Sequence, residues 1–412
     1  MMPTPRAAIV TAGAALLAIP FGGLVGAGAV ILVLVLTVVD ALGVREVPVV
    51  AGEIPQHLAR GYESTIEYTV ETDNRFRLRQ PGTPDITINP QGPTSSTRFT
   101  LVATRRGAHQ LPSVVVRLFG RWGLGAWTHQ PRGRSDITVF PDVVMARRIA
   151  YAVARGSLRQ GERITRRIGL GTAFDSVREY VPGDDFRHIN WRAMLRTGQP
   201  MTNVFNFEQD RNVLCLIDQG RLMGGDLGGK TRLDAAIDAA VAVGYVADTI
   251  GDRVGFMTFD QSLTHHLAPR RRGGEALVRG LHALEPTSNN TRFDEPLQIA
   301  IRAKRSFVLI FTDLLDAAAS EALLRAVPLL TRHHSVAVVS SIDPELEDAT
   351  LATPATTFDA FVSVAAHEAL NQQLEVVEQL KNLGAQPIVL RAEDLPTACV
   401  RHYLDLKDRA RV

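Results

Sequence analysis

Apolar residues dominate the start of the chain. No charged residue occurs between Ala7 and Val39, and this run is too long for one membrane span of about 20 residues. The sequence IPFGG at residues 19–23 offers a turn, so the pattern predicts two short transmembrane helices in a hairpin over residues 1–44. A cleaved signal peptide is the alternative. The small residues of a signal-peptide cleavage site are missing before Asp40, which favours a hairpin that is retained in the mature protein.

Residues 45–141 show a different pattern. Short alternating stretches such as STIEYTVET, STRFTLVAT and SVVVRLFG are separated by Gly, Pro and Asn, with little helical periodicity. This pattern predicts a small antiparallel β-sandwich.

From residue 206 to 412, buried strands alternate with amphipathic helices. The predicted strands are 212–218, 253–259, 306–313, 335–341 and 387–391, and the predicted helices are 231–250, 275–284, 294–302, 318–330, 366–383 and 396–408. Such alternation predicts an α/β domain with a doubly wound, mostly parallel sheet. Residues 142–205 form the predicted link, a basic helical stretch followed by a segment dense in charge.

Composition narrows the function classes. The net charge of +2 and the 45% hydrophobic content are those of an ordinary globular protein, so nucleic acid is not indicated as a partner. The two cysteines, Cys215 and Cys399, have no metal-ligand neighbours, which suits a reducing compartment. Arg6 before the apolar run and Arg45 after it favour cytoplasmic placement of both ends, and hence of the C-terminal domain.

Three predicted strands end in or directly before aspartate: Asp218, Asp260 and Asp313. Ligand sites of doubly wound sheets lie beyond the carboxyl ends of the strands, and clustered carboxylates suit Mg²⁺ or Ca²⁺. The arrangement resembles the von Willebrand factor A fold, whose adhesion site holds a metal with Asp-x-Ser-x-Ser, a Thr and a later Asp. The resemblance implies metal roles for Asp218, Thr291 and Asp313.

This sequence departs from that metal-binding pattern in its first loop. Gly220 and Leu222 stand where the family has hydroxyl residues, and Arg221 adds a positive charge. We therefore expect a degenerate site that binds no cofactor, with the aspartates capping turns or pairing with Arg221 or Lys230.

Other catalytic motifs give little support to an enzyme. The stretch GGDLGGKT, residues 224–231, fits the GxxxxGK[ST] pattern, but residues 219–223 separate it from the predicted strand 212–218, and a flexible loop that opens the helix from Thr231 explains it as well. The sequence has no GxSxG elbow and no HExxH pair. No small-molecule substrate is indicated.

The densest cluster of charged and aromatic residues is FDSVREYVPGDDFRHINWRAMLRTGQP, residues 174–200. It resembles the hallmark segment of the domain-of-unknown-function-58 family, which reads close to Arg-Glu-Tyr-x-Pro-Gly-Asp-Asp-x-Arg-x-Ile-Asp-Trp. The matching residues that we single out are Arg178, Glu179, Tyr180, Gly183, Asp184, Asp185, Arg187, Trp191 and Arg196. One departure is Asn190, where the family usually has Asp. An Asn could not replace that Asp as a general base or metal ligand.

Two accounts of this segment remain open. In the first, it is a structural clasp: Arg–carboxylate pairs tie a long non-helical excursion onto the α/β domain, and Tyr180 and Trp191 fill its underside. In the second, it is a docking surface for a partner protein or an anionic group, for which Arg is well suited.

The family resemblance implies a membrane-anchored, non-enzymatic interaction or assembly factor that works with a MoxR-type AAA+ ATPase. The expected location is the cell membrane, with two spans. The alternative is a metal-dependent hydrolase that uses carboxylates at the sheet edge.

Overall fold

The computed structural model describes residues 2–155, 173–181, 184, 186–206, 211–315 and 317–409. The chain divides into two compact units, Met1–Phe140 and Pro141–Val412.

The first unit is rich in β-structure. Its strands are β1 (Met2–Pro3), β2 (Val49–Gly52), β3 (His57–Ala59), β4 (Glu63–Glu71), β5 (Phe76–Arg79), β6 (Ile86–Asn89), β7 (Arg98–Ala103), β8 (Gly107–Leu111), β9 (Val115–Phe119), β10 (Gly125–His129) and β11 (Ser135–Phe140). They form three sheets, ordered β1-β10-β9-β5, β3-β11-β8 and β2-β4-β7-β6. Pairing is antiparallel, as predicted, except between β3 and β11. Alternate residues of the strands, including Ile66, Phe99, Leu101 and Val116, face inward and form the core.

Three helices precede the second strand of this unit: α1 (Pro5–Leu16), α2 (Ala18–Phe21) and α3 (Gly23–Leu42). Among the described residues, α3 alone is long and apolar enough to cross a membrane, by length and composition. The first half of the predicted hairpin is divided between α1 and the single turn α2. A membrane-spanning helix near the N-terminus is therefore supported, and the second span stays a prediction.

The C-terminal end of α3 is fastened to the β-structure by Asp40. This buried carboxylate accepts hydrogen bonds from the backbone N–H groups of Trp122, Leu124 and Gly125, at 2.8–2.9 Å. A side chain at Gly125 would collide with the backbone of α3, so glycine permits the close approach. One acidic side chain thus joins the apolar helix to the loop before β10.

The N-terminus reaches the same place. Met2 pairs with Ala126 of β10, and the Thr4 hydroxyl donates to the carbonyl oxygen of Gly123 at 2.6 Å. Both ends of the helical segment therefore contact residues 120–126.

The second unit is an α/β domain preceded by a hairpin. Its strands are β12 (Ala173–Glu179), β13 (Met201–Asn206), β14 (Asn212–Asp218), β15 (Arg253–Phe259), β16 (Leu263–Arg270), β17 (Ser306–Phe311), β18 (Ser335–Ser341) and β19 (Gln386–Leu390). Its helices are α4 (Val143–Ala154), α5 (Trp191–Thr197), α6 (Arg232–Thr249), α7 (Gly273–Leu281), α8 (Asp294–Arg302), α9 (Ala317–Thr331), α10 (Pro344–Leu351), α11 (Thr357–Asn382) and α12 (Leu395–Arg409).

The main sheet has six strands in the order β16-β15-β14-β17-β18-β19. All its pairs are parallel except β15–β16, so β14, β15, β17 and β18 end at one edge. Helices α8, α9 and α11 pack on one face, where Leu216, Ile310 and Val338 lie in the core. The long helix α6 and α12 pack against each other, and both also contact strands of the sheet.

The predicted strands and helices of this domain are all present, with shifts of at most three residues at their ends, except that α11 begins at Thr357, nine residues before the predicted start at residue 366. The antiparallel edge strand β16 and helix α10 were not predicted. Strand β16 is largely exposed, so its sequence lacks the apolar run that marks the central strands.

Candidate functional site

The carboxyl edge of the sheet brings two of the predicted metal residues into direct contact. Asp218 ends β14 and is buried, and its carboxylate accepts hydrogen bonds from the Gly220 N–H and from the hydroxyls of Thr291 and Thr312, each at 2.7 Å. The predicted Asp218–Thr291 proximity is thus present. Burial is the main cause that raises the pKa of Asp218, and the negative charge of Asp313 adds to it, while the three hydrogen bonds oppose the rise.

Asp313 lies nearby, just beyond β17, and is paired with a guanidinium. Its carboxylate accepts from the Leu315 N–H at 2.6 Å and lies 3.0 Å from Nη1 of Arg232. The other terminal nitrogen of Arg232 binds Asp343, which follows β18. One buried arginine therefore joins two acids at this edge, with side-chain exposures of 8% for Arg232 and 2% for Asp313.

Arg232 was missed in the sequence, where Arg221 and Lys230 were the expected partners. The arginine is the first residue of α6, and the capping box formed by Thr231 and Asp234 holds that helix end in place. Lys230 lies instead 4.0 Å from Asp238. The expectation that the aspartates cap turns is correct for both Asp218 and Asp313.

Asp260, at the end of β15, is held by neighbours of its own. It accepts hydrogen bonds from the Asn289 amide at 2.7 Å and from the Ser262 N–H at 3.2 Å. Burial opposes ionisation of this side chain, but the hydrogen bonds outweigh it and hold its pKa below the ordinary value.

These residues do not fit a divalent cation. Asp218 already accepts three donors, Asp313 faces a guanidinium, and Gly220 and Leu222 supply no side-chain oxygen. A side chain at Gly220 would also collide with the Thr291 hydroxyl. Within the described ranges, no group of three or more His, Cys, Asp or Glu is placed to hold a metal.

We therefore expect no metal binding at this edge. Titration of the full chain in detergent with Mg²⁺, Mn²⁺ or Ca²⁺ should release no binding heat up to millimolar metal, because Arg232 already balances the acids. Isothermal titration calorimetry measures this directly. Micromolar binding that disappears in Asp218→Ala would contradict the expectation and restore the hydrolase alternative.

The second candidate site is the hairpin of residues 173–206, which we term the arm. Strands β12 and β13 pair antiparallel, from Ala173 with Asn206 to Glu179 with Met201. Between them lie a short 3₁₀ turn (Phe186–His188) and α5. The predicted non-helical excursion is therefore wrong: the segment is a β-hairpin that carries a helix.

Hydrogen bonds within the arm hold its shape. The Asp184 carboxylate pairs with Arg178 at 2.8 Å and accepts from the Val181 N–H at 3.0 Å. The hydrogen bond from Arg178 is the main cause that lowers the pKa of Asp184. Tyr180 stacks on Phe186 at 5.8 Å between ring centroids, and its hydroxyl donates to the Asp184 carbonyl oxygen at 3.3 Å.

Asn190 begins α5. Its side-chain oxygen accepts from the Ala193 N–H at 2.9 Å, and its amide donates to the Asn203 side chain at 2.8 Å. Asn and Asp are about equally good at this capping position. The Asn that departs from the family pattern thus caps α5, a role that Asp could also fill, although an ionised Asp could not donate to Asn203.

Three of the large apolar side chains of the arm are mostly exposed to solvent. Trp191 is 64% exposed, Phe186 73% and Leu195 87%. The expectation that Trp191 fills the underside of a clasp is wrong, because no residue of α5 is buried. Glu179 and Arg196 are also exposed. Gly183 and Asp185 lie outside the described residues, as does the side chain of Arg187.

Comparison with known proteins agrees with the resemblance seen in the sequence. Residues 176–360 match the family model described as "Protein of unknown function DUF58", a span that runs from the arm into α11. Uncharacterised proteins of Mycobacterium bovis and Mycobacterium tuberculosis are 23% identical over 251 residues, which cover 55% of this chain and 76% of theirs. The arm and most of the α/β sheet are therefore similar to a family whose function is not described.

Proposed function

We propose that this chain is a membrane-anchored, non-enzymatic interaction factor whose arm docks a partner protein. The observation that carries the proposal is the exposure of Trp191, Phe186 and Leu195 on a hairpin held by its own hydrogen bonds. Interface cores are enriched in aromatic residues and Arg, and Arg192 and Arg196 lie on the same short helix as Trp191.

The sheet edge supports a role without catalysis. Its acids are engaged by hydroxyls, by backbone N–H groups and by Arg232, so none is left as an unpaired base or nucleophile activator. A hydrolase at this edge would first have to displace its own arginine.

The proposed membrane placement rests on α3 and on the contacts that the two ends of the apolar segment make. Because Met2 and Asp40 both bind residues 120–126, the apolar segment has to return to the side on which it started. This supports two crossings with both ends on one side, and Arg6 and Arg45 favour the cytoplasmic side.

The resemblance to the family supplies the kind of partner. We propose a MoxR-type AAA+ ATPase, with nucleotide bound by that partner, in the maturation or assembly of protein complexes.

Co-purification from native membranes tests this function. The double variant Trp191→Ser/Leu195→Ser should recover at least about tenfold less AAA+ protein than the wild-type chain, because central aromatic anchors carry most interface energy. Recovery is measured by quantitative mass spectrometry after mild solubilisation.

Trp122→Ser is the matched control, since Trp122 is 53% exposed and belongs to the first unit. It should retain the ATPase. Repeated recovery of the wild-type chain without any AAA+ protein would refute the partner, and equal recovery with the double variant would refute the arm as its docking surface.

A further inference from the structure

Helix α11 carries an apolar stripe that is covered along only part of its length. Ala366, Val376 and Leu380 are buried, and the last two, in the C-terminal half of the helix, belong to the core under β17 and β18. At about 100° per residue, Phe358 and Val362 lie on the same side of the helix as these three. The side that docks on the sheet therefore continues beyond the part that is docked.

The continuation of this stripe is exposed. Phe358 is 74% exposed and Val362 42%. Beside this stripe, Phe361, about 60° around α11 from Phe358, is 70% exposed, and Leu351, at the end of α10, is 78% exposed. Surface apolar residues that occur singly are normal, but a contiguous set on one helix side marks an interaction surface.

The stretch of chain that carries this surface is acidic. Between Arg332 and Lys381 the chain contains no Lys or Arg. The same stretch holds eight acids: Asp343, Glu345, Glu347, Asp348, Asp359, Glu368, Glu375 and Glu378. Asp343 and Glu347 are paired with Arg232 and Arg391, whereas Glu345, Asp348 and Glu368 are exposed on α10 and α11.

We propose that Leu351, Phe358, Phe361 and Val362 form a docking surface, the acidic helix face, for a basic amphipathic helix of a partner protein. The apolar side of such a helix covers the phenylalanines, and its Lys and Arg residues meet Glu345, Asp348 and Glu368. This surface is distinct in sequence from the arm, which carries arginines next to its exposed aromatic residues. The chain then offers two docking surfaces of opposite charge.

Charge decides between this occupant and two others. An anionic membrane surface would repel the acids. Two copies that met through this same face in a symmetric dimer would set acids against acids. A helix that is basic on one side and apolar on the other complements both the exposed apolar residues and the acids of the acidic helix face.

A peptide titration on the full chain in lipid nanodiscs tests the proposal. The probe is a fluorescein-labelled Leu/Lys amphipathic helix about four turns long. Two comparison peptides are a scrambled Leu/Lys sequence without a helical stripe and a Leu/Glu version with the same stripe. Fluorescence anisotropy should show saturable binding of the Leu/Lys helix alone.

Variants locate the binding. Phe358→Ser/Phe361→Ser should weaken binding by at least about tenfold, since both are the aromatic anchors of the face. Leu374→Ser is the matched control: Leu374 is 60% exposed but lies more than about 130° around α11 from both phenylalanines, so affinity should change less than about twofold.

Three results would overturn the proposal. The first is equal binding of the scrambled peptide, and the second is unchanged affinity in the double serine variant. The third is a wild-type chain that binds no peptide but self-associates or binds lipid in a way that requires Phe358 and Phe361.

Discussion

Arg232→Ala should destabilise the α/β domain by about 3–5 kcal/mol, one of the two largest effects that we expect from a single substitution. The guanidinium is buried and binds both Asp313 and Asp343, so its removal leaves two carboxylates without their shared counter-charge. Thermal unfolding of the full chain in detergent measures the loss of stability. Hydrogen exchange in β17, the strand that leads into Asp313, should locate it.

Arg221→Ala is the control for Arg232. Arg221 lies in the adjacent loop and its side chain is exposed, so its loss should cost less than about 0.5 kcal/mol. If Arg232→Ala lowered the free energy of unfolding as little as Arg221→Ala, then the ion pairs at the sheet edge would not contribute to stability. Arg232 would then not be the group that keeps a metal from this edge.

Lys407→Met should also cost about 3–5 kcal/mol, at the opposite edge of the same sheet. The Lys407 ammonium lies 2.6 Å from the Asp252 carboxylate, and the side-chain exposures are 4% and 0%. The Tyr403 hydroxyl binds the same carboxylate, and burial is the main cause that raises the pKa of Tyr403. Without the lysine, the buried Asp252 carboxylate loses its ammonium partner. Hydrogen exchange in α12 and thermal unfolding report the change.

The same substitution at Lys381 is the matched control. Lys381 pairs with Glu378 at 3.1 Å, but both side chains are more than half exposed, so Lys381→Met should cost less than about 1 kcal/mol. Equal effects at the two lysines would mean that burial of the Asp252 pair does not determine its contribution.

The central strands of the α/β domain could be predicted because their signal is local. Strand β14 is a continuous apolar run that ends in Asp218, and β17 and β18 repeat this pattern, as expected for strands buried on both faces. Edge strand β16 has no such run because its residues are exposed. The sequence therefore marks the central strands and the edge strand β19, and it fails to mark β16 at the other edge.

The site was harder to predict because its decisive contacts are long-range. That Asp218 and Thr291 meet follows from strand order, and a fold resemblance was enough to suggest it. The partner of Asp313 was not predictable in this way, because Arg232 reaches it from the start of α6 and also binds Asp343, which is 111 residues away in sequence. Nothing in the local sequence distinguishes Arg232 from Arg221 or Lys230.

In the arm, the important residues could be recognised in the sequence, but the β-hairpin and its helix could not. The dense charges suggested a clasp because each Arg has acidic neighbours in sequence, and the Arg178–Asp184 pair is indeed formed. The helical turn at Trp191 was missed, although Asn190 before it and Gly198 after it are ordinary helix-capping residues. Position 190 is the N-cap of this helix.

The contacts that join the N-terminal helices to residues 120–126 also set an order of events during synthesis. Asp40 binds N–H groups that are 82 to 85 residues further along the chain, and Thr4 binds Gly123, 119 residues away. At about 5–20 residues per second, the ribosome needs roughly 4 to 17 s to reach those residues after making Asp40. In the membrane-anchored protein that we propose, the apolar segment enters the bilayer before the β-structure that binds it has been made, and that β-structure then folds against an inserted segment.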